Sequence, residues 1–552
     1  MEFGIHPAMP TYTGGLGILA ADTIRAAADL GLSAAGVTLL HRKGYFHQHL
    51  DDRGNQSETE ECWSPEKFMD KLPVRVQVFL SGREVQVQAW RYLVHSEFGN
   101  NVPIYFLDTC LPENSPLDQR ITDHLYGGDS RYRLQQEVIL GFAGIAMLRS
   151  LGYEVIQNYH MNEGHSALIT LALMEEHAWG SGLLNISTAD QQAVKQRCVF
   201  TTHTPMPAGH DAFNLDLVRE VLGDERTNFL IAAQCCNNGA LNMTNLALTF
   251  SRYVNGVSMR HEEVTSNIYS KHHIDAVTNG VHATTWTSPS FSKLYDRFIP
   301  EWRRDNLYLK YAIRIPLDEI QKAHTQAKIE LLDEVERRNG IRLDPKVMTI
   351  GFARRATEYK RHTLLFYDQE RLKRIVGKGH RNQIIYGGKA HPRDEAGKAL
   401  IRKVHEISND LKGCISIVYL EEYDMSLATY LCSGVDLWLN TPQKPQEASG
   451  TSGMKAALNG VPTFSILDGW WVEGHIEGVT GWSIGDSRQS EADIKREVTS
   501  LYDKLEQVIL PMYYEQPEQF AGIMRSAISL NGSYFTTQRM LTQYLQNAYL
   551  KS

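Results

Sequence analysis

The sequence predicts an α/β protein with two Rossmann-like domains that face each other across a cleft. Short apolar strands alternate with amphipathic helices along most of the chain, as in parallel sheets whose strands are joined by crossover helices. A chain of 552 residues is long enough for several domains. The stretch 286–316 is irregular and aromatic, and it precedes a long charged helix and a new strand. We therefore expect domains at 1–285 and 286–552.

The predicted strands and helices alternate through both halves. The candidate strands are 154–158, 197–202, 347–353, 382–386, 415–420, 435–440 and 462–467. The candidate helices are 17–30, 165–177, 316–338, 394–407, 425–433 and 449–459, with three more after residue 491. Ligands bind beyond the carboxyl ends of strands in open α/β sheets. The loops that follow these strands are therefore the candidate site.

Composition narrows the class of protein. The chain is 42% hydrophobic and 22% charged, as in soluble globular proteins, and its net charge of −8 argues against a nucleic-acid partner. Its seven cysteines are scattered without a CxxC spacing, which predicts reduced thiols. The sequence shows no signal peptide and no run of eighteen apolar residues. We expect a cytoplasmic protein without a membrane partner, and a homo-oligomer is possible.

The segment Glu447-Ala-Ser-Gly-Thr-Ser-Gly-Met-Lys455 is the most informative in the chain. Its small residues allow backbone N–H groups to close on an anion, and helix-forming residues follow. A lysine one turn into that helix suits a phosphorylated cofactor tethered through an amine, as pyridoxal 5′-phosphate is. The alternative from the residues alone is an ordinary strand-to-helix turn with a solvated lysine.

Cations follow the strand predicted at 347–353. Arg354, Arg355, Lys360 and Arg361 fall within eight residues, which is costly beside a buried strand unless they meet anions. A solvated helix start is the alternative. Other loops at strand or helix ends are weaker signals, because each also fits a plain turn or cap. They are Gly14-Gly15-Leu-Gly17, Asn162-Glu163-Gly-His165, Thr202-His203-Thr204 and Thr278-Asn279-Gly280.

The cofactor segment, with Leu-Asn-Gly after it and Leu-Asp-Gly at 467–469, resembles the α-glucan phosphorylases. That family comprises the glycogen, starch and maltodextrin phosphorylases, and the resemblance runs in ordered blocks from Gly14 to the 480s. It implies a GT-B type glycosyltransferase fold and reversible phosphorolysis of an α-glucan or maltodextrin. Terminal α-1,4-linked glucose would pass to inorganic phosphate as α-glucose 1-phosphate, with retention. The phosphate of pyridoxal 5′-phosphate would act as the proton shuttle.

The resemblance also assigns roles to residues. Those it assigns to catalysis are Lys455, Arg355, Lys360, His203 and Glu447. Those it assigns to the cofactor are Lys455, Gly450, Thr451, Ser452, Gly453, Lys360, Tyr423, Gly15 and Trp286. Those it assigns to substrate are Gly14, Asn279, Glu447, Ser449, His203, Arg355 and Asp129, the last on a gate loop. Asn162 and His165 are expected to support these residues as a second layer. Lys455 is expected on an exposed helix face.

The histidine spacings lack a helical zinc pair, so we predict no catalytic metal. The family reaches Met-Glu-Phe-Gly-Ile only after a further N-terminal segment, so the chain resembles a short form that lacks a first strand. We expect an unpaired sheet edge from that difference. Two other functions stay open. They are a nucleotide-sugar glucosyltransferase of the glycogen synthase type, which would not need Lys455 as an anchor, and a non-catalytic glucan-binding relative.

Overall fold

A computed structural model describes residues 1–178, 181–206, 209–377, 379, 381–486 and 493–550. The fold is mixed α/β and is dominated by parallel sheets, as the sequence predicts. No helix within these residues combines the length and the apolarity needed to cross a membrane.

The second half of the chain forms a six-stranded parallel sheet. Its strands, in spatial order, are Ser416–Leu420, Asn382–Gly387, Met348–Ala353, Leu437–Asn440, Thr463–Ile466 and Gly481–Ile484. The register pairs Ile350 with Ile384 on one side and with Leu437 on the other. The central strands are buried along their whole length, which explains why they appear in the sequence as unbroken apolar runs.

Helices alternate with these strands and continue after the last of them. They are Leu317–Asn339, Gln369–Gly377, Glu395–Asp410, Met425–Gly434, Ser452–Leu458, Trp471–Gly474, Ile494–Lys504, Leu510–Glu515, Pro517–Ser526 and Thr537–Tyr544. The longest, Leu317–Asn339, packs against Met425–Gly434 and ends at Gly340 in the left-handed conformation. The predicted strands and helices of this half agree with the structure to within three residues at each boundary. The helix predicted from residue 449 begins at Ser452, and the helix predicted to end at 407 ends at Asp410. The three helices predicted after residue 491 are found, because residues 505–509 continue Ile494–Lys504 into Leu510–Glu515 as one helix.

The first half contains a second parallel sheet. Its strands, in spatial order, are Asp275–Ala276, Tyr253–Gly256, Cys198–Thr201 and Tyr159–Asn162. The predicted strand at 154–158 is wrong, because Val155 is 86% exposed and the strand begins at Tyr159. Tyr159 and Met161 are the buried residues of that strand, and Tyr159 pairs with Cys198.

Antiparallel pairing builds the rest of this half. A four-stranded sheet has the order Gly36–Leu39, Asn101–Asp108, Arg83–His95 and Asp70–Leu80, and only its first pair is parallel. A three-stranded sheet comprises Cys236–Asn237, Ala240–Asn242 and Ala212–Asn214, and a hairpin pairs His47–Leu50 with Gln56–Thr59. The helices are Gly15–Asp29, Ser130–Val138, Gly144–Ser150, Leu168–His177, Thr188–Lys195, Leu215–Leu222, Asp224–Ala232, Met243–Thr249, Met259–Ile268 and Ala283–Trp286. The next helix, Pro289–Phe298, packs against Leu317–Asn339 of the second half.

The last helix returns to the first half. Thr537–Tyr544 packs against Gly15–Asp29, and Thr537 N donates to the Val281 carbonyl at 3.0 Å. The Tyr544 hydroxyl lies 3.0 Å from Thr201 Oγ1. The end of the chain therefore joins the two halves.

Candidate active site

The loops at the carboxyl edge of the six-stranded sheet come together around Glu447. The strand Met348–Ala353 leads into residues 354–361, Leu437–Asn440 leads into 441–451, and Thr463–Ile466 leads into 467–470. These strands are adjacent and parallel, so their following loops meet at one edge.

Glu447 is a buried carboxylate held by two cations. Its Oε2 accepts from Arg354 Nη2 at 2.6 Å and also pairs with Lys360 Nζ. Burial raises the pKa of Glu447, but Lys360 and Arg354 outweigh it and bring that pKa down to about 2. Glu447 is therefore ionised throughout the neutral range.

Arg354 is a site residue to which the sequence analysis gave no role. Its Nε and Nη1 are buried without a hydrogen-bond partner, so two donors stay available beside Glu447. Neighbouring residues of an extended chain point in opposite directions, and the sequence does not reveal which arginine of the pair faces the carboxylate.

Arg355 lies against the glycine loop that begins the first helix. A Cβ added at Gly14 would lie 3.6 Å from Arg355 Cδ, whereas nothing within 4 Å would touch one at Gly15. The Arg355 side chain is exposed and makes no hydrogen bond or ion pair with another described residue. The structure thus joins two motifs that the sequence separates by more than three hundred residues.

Glu2 was also missed from the sequence. It is buried, and its Oε2 accepts from Thr13 N at 2.7 Å, which fixes the chain just before Gly14. A Cβ at Gly17 would lie 2.9 Å from the same carboxylate oxygen, so only glycine fits at Gly17.

Lys455 occupies a different environment from Lys360. It is 7% exposed, which corrects the expectation of an exposed helix face. Its Nζ lies 3.6 Å from the ring centroid of Trp286, and over the described ranges it has no hydrogen-bond or ion-pair partner. Burial lowers the pKa of Lys455, although Asp22 and Cys432 oppose that shift. Trp286 Nε1 donates to Asp22 Oδ2 at 2.7 Å, so the ring that covers the amine is fixed in place.

The small residues before Lys455 divide into two groups. Ser449 Oγ is buried without a partner, and Gly450 has a φ of +82°, so these positions can face a ligand. Thr451 precedes the helix Ser452–Leu458. Ser452 Oγ accepts from Trp438 Nε1 at 3.0 Å, and a Cβ at Gly453 would lie 2.7 Å from Trp470. Ser452 and Gly453 therefore serve packing as well.

Tyr423 lies on the same edge of the sheet. Its Cδ2 would be 3.3 Å from a Cβ at Gly387, the last residue of its strand. The side chain is close enough to Tyr12 and Arg354 for both to influence its pKa, which burial raises well above the usual value. The hydroxyl of Tyr12 accepts from Met425 N at 2.9 Å, so the chain before Gly14 touches the helix that follows Tyr423.

In the first half, His203 and Asn162 are brought together. His203 Nε2 lies 2.6 Å from Asn162 Oδ1, and His203 N donates to Glu163 Oε2 at 2.8 Å. Burial lowers the pKa of His203 to about 3, so the ring is neutral at pH 7. Glu163, which the sequence analysis gave no separate role, has a φ of +84°. His165 is buried, with Nε2 at 2.6 Å from the Met1 nitrogen.

Asn279 is linked to the second half through its backbone. Its carbonyl accepts from Arg539 Nη2 at 3.0 Å, and its buried Oδ1 has no partner. Nearby, Ser258 Oγ donates to the Ala448 carbonyl at 2.6 Å. This contact ties the first half directly to the residue that follows Glu447.

Asp129 is not joined to this cluster by any contact that the structure describes. It is exposed and caps the helix Ser130–Val138, with Oδ1 accepting from Tyr132 N at 2.9 Å. One group in the described part of the chain, His47, Glu61 and Glu422, has a spacing that could hold a metal ion. Glu422 there already pairs with Lys389, and none of the three is a predicted site residue.

Fold and site together define a class: an α/β protein whose ligand site combines several cations, a buried lysine without an ion-pair partner among the described residues, and a glycine loop. This combination suits phosphate groups. A family model described as carbohydrate phosphorylase matches residues 224–481. The maltodextrin phosphorylase of Thermococcus litoralis is 40% identical, over the whole of this chain and 70% of its own length. The glycogen phosphorylase of Aquifex aeolicus is 33% identical, over the whole chain and 85% of its own length. An uncharacterized protein of Methanocaldococcus jannaschii is 31% identical and is covered over 98% of its length.

The chain therefore belongs to the carbohydrate phosphorylase family of hexosyl-transferring enzymes. The resemblance seen in the sequence is confirmed at this level.

Proposed function

We propose that this protein catalyses reversible phosphorolysis of an α-1,4-glucan and releases α-glucose 1-phosphate with retention of configuration. The observation that carries the proposal is the Lys455 amine, buried over Trp286 without a carboxylate partner. A buried lysine with a lowered pKa can react with a carbonyl, and a sugar-nucleotide transferase would have no use for one at this position.

The proposed architecture is two domains of GT-B type, at residues 1–285 and 286–552, with the site between them. Two of the buried clusters support it, whereas a third joins residues 3–277 to 540–548 and a fourth joins Ile18, Val281 and Ala283 to residues 286–535. One buried cluster draws only on residues 1–274, and another only on residues 331–461. The contact between Ser258 and Ala448 would then bridge the two domains beside the site.

The described residues fit pyridoxal 5′-phosphate. Unpartnered polar groups are available at Lys455, Ser449 and Arg354, and space is open beside Gly15. The residues that would hold the group are Lys455, Gly450, Thr451, Ser452, Gly453, Lys360, Tyr423, Gly15 and Trp286. When bound, it supplies a phosphate with a second pKa of about 6, which suits proton exchange at neutral pH.

Glu447 does not act as an acid in this proposal. With a pKa of about 2, it holds no proton to give to the leaving oxygen. Glycosidases solve that problem with a second carboxylic acid. Here cations surround the carboxylate, so the proton has to come from substrate phosphate. Glu447 instead accepts hydrogen bonds from glucose hydroxyls.

The cations bind and orient the phosphates. Arg355 beside Gly14 offers a planar fork to substrate phosphate, and Arg354 has two free donors nearby. Lys360 adds positive charge that allows two phosphate groups to approach each other. Neutral His203 and Asn279, with Ser449, contact the glucosyl unit, and Asn162 holds the His203 ring. Asp129 is proposed as a gate-loop residue that meets substrate.

The test is the product formed from maltoheptaose. Protein supplied with pyridoxal 5′-phosphate is incubated with inorganic phosphate, and glucose 1-phosphate is measured together with its anomeric form. We expect phosphate-dependent formation of the α anomer. Transfer from a nucleotide sugar without phosphate would instead indicate a glycogen synthase type enzyme. Glucan binding with neither reaction would indicate a non-catalytic relative.

A further inference from the structure

The Leu-Asp-Gly motif at 467–469 forms a tight turn under Glu447. Trp470 N donates to the Ser449 carbonyl at 2.9 Å. Gly469 has a φ of +54°, and a Cβ there would lie 2.4 Å from the Ser449 carbonyl oxygen. Only glycine allows this close approach. The turn therefore packs against the backbone of residues 447–449 and fixes its conformation.

Asp468 binds that backbone with both carboxylate oxygens. Oδ2 accepts from Glu447 N at 2.9 Å, and Oδ1 accepts from Gly469 N at 3.0 Å. The side chain is buried, with 2% exposure, and has no ion pair with a residue that the structure describes. A buried carboxylate held by neutral amides alone is expensive for stability. An uncharged acceptor would cost less if packing were the only requirement.

We propose that Asp468 is a positioning residue, whose carboxylate holds the Glu447 backbone so that the Glu447 side chain meets Arg354 and Lys360, and whose protonation loosens that hold. This inference rests on the proposed function. Asp468 is not proposed to touch a reacting group, because its side-chain hydrogen bonds go to the two amides.

The surroundings of Asp468 make its protonation relevant near neutral pH. Burial and the like charge of Glu447 raise its pKa to about 7, although the Glu447 and Gly469 amides and Arg260 oppose the shift. Lys444 is a further charged side chain that interacts with it. A protonated carboxyl has only one full acceptor oxygen to share between the two amides. The hold on Glu447 is therefore strongest above about pH 7 and weakens below it.

Asp468→Asn separates positioning from simple structural support. A raised carboxyl pKa means that Asp468 favours the folded state when protonated, and that this contribution is lost as pH rises through about 7. The neutral asparagine should therefore leave the unfolding midpoint at pH 8 unchanged or higher. Its Nδ2 group, however, would face one of the two amide donors, and Glu447 would lose its fixed position.

The experiment compares kcat/KM of the wild-type and D468N enzymes from pH 6 to pH 8. At each pH the kcat/KM of the wild type is divided by that of D468N. This division cancels the titration of substrate phosphate, because both enzymes use the same substrate. We expect the kcat/KM of the wild type to exceed that of D468N about ten-fold or more at pH 8, and this ratio to fall toward one at pH 6. Asp305→Asn is the control, because Asp305 is exposed and accepts from Leu307 N at 3.0 Å at another place in the fold.

A second readout does not depend on activity. Amide hydrogen exchange in the peptide that contains Glu447 should be about ten-fold faster in D468N at pH 8 and unchanged in D305N. A pH-independent ratio, unchanged activity, or a lower unfolding midpoint with the loss of activity would overturn the inference. An inactive wild-type enzyme would refute the proposed function, and the exchange result would still decide the role of Asp468.

Discussion

Lys360 and Lys455 are equally buried but lie in opposite surroundings. Lys360 is 7% exposed and pairs with Glu447, together with Arg354. Lys455 is 7% exposed, faces the Trp286 ring, and has no counterion among the described residues. Pairing with a carboxylate suits Lys360 to an electrostatic role, whereas burial lowers the pKa of Lys455 and favours the uncharged amine that can react. We therefore propose two different roles for the same residue type in one site.

The largest effect is expected from removing the reactive amine. Lys455→Met keeps most of the side-chain volume against Trp286 but cannot form the covalent link. Activity should fall on the order of a thousand-fold or more. Lys389→Met is the control, because Lys389 pairs with Glu422 instead of lining the Lys455 pocket. Circular dichroism should show both variants folded, and substantial activity in the Lys455 variant would remove the distinction between the two lysines.

Glu447→Gln should be the next most damaging change. It leaves Arg354 and Lys360 without their carboxylate, and activity should fall about a hundred-fold. The pKa of Glu447 is lowered from about 4.3 in an unfolded chain to about 2. The ionised form therefore adds about 3 kcal/mol of stability above pH 4.3, which is lost as the pH falls to 2. Urea unfolding at several pH values should show this loss in the wild type and not in the variant.

Trp286→Leu tests whether the indole ring over Lys455 contributes to the difference between the two lysines. It removes both the ring above Lys455 and the hydrogen bond to Asp22. Cofactor affinity, measured by fluorescence titration, should fall about ten-fold. Trp286→Phe keeps a ring and should lose less. Equal losses in the two variants would show that the Asp22 contact, and not the ring, holds the pocket.

Asp129 should give the smallest effect on stability. Asp129→Asn keeps the helix cap, and Asp129→Ala should lower the free energy of unfolding by about 1 kcal/mol. A gate-loop role predicts that D129N also weakens glucan binding while the fold is unaffected. If glucan affinity changes only in D129A, the residue acts as a cap alone.

The sequence predicts the second half of the fold well and the first half less well. Strands such as Met348–Ala353 are buried on both faces, so they stand out as apolar runs. The strand Asp70–Leu80 is largely exposed at its start, and buried and exposed residues alternate toward its end, so the sequence shows no apolar run that would predict it. The strand predicted at 154–158 lies before the observed strand that begins at Tyr159, because Val155 and Ile156 are apolar residues on a loop.

The sequence motifs predict which residues belong to the site, but they do not predict which of these residues contact one another. The sequence indicates Glu447, Lys360 and Lys455 as site residues, because each lies in a distinctive local pattern. It cannot show that Arg354, and not Arg355, pairs with Glu447. Asp468 reaches the Glu447 amide from another loop, so no local spacing reveals the contact. Contacts between loops depend on the order of strands in the sheet, which the sequence pattern leaves open.

The most direct test of the contrast between the two lysines is borohydride reduction of the protein supplied with pyridoxal 5′-phosphate, followed by peptide mapping. We expect the label on Lys455 and an unlabelled Lys360. Label on Lys360, or no label on any lysine of a folded protein, would contradict this expectation.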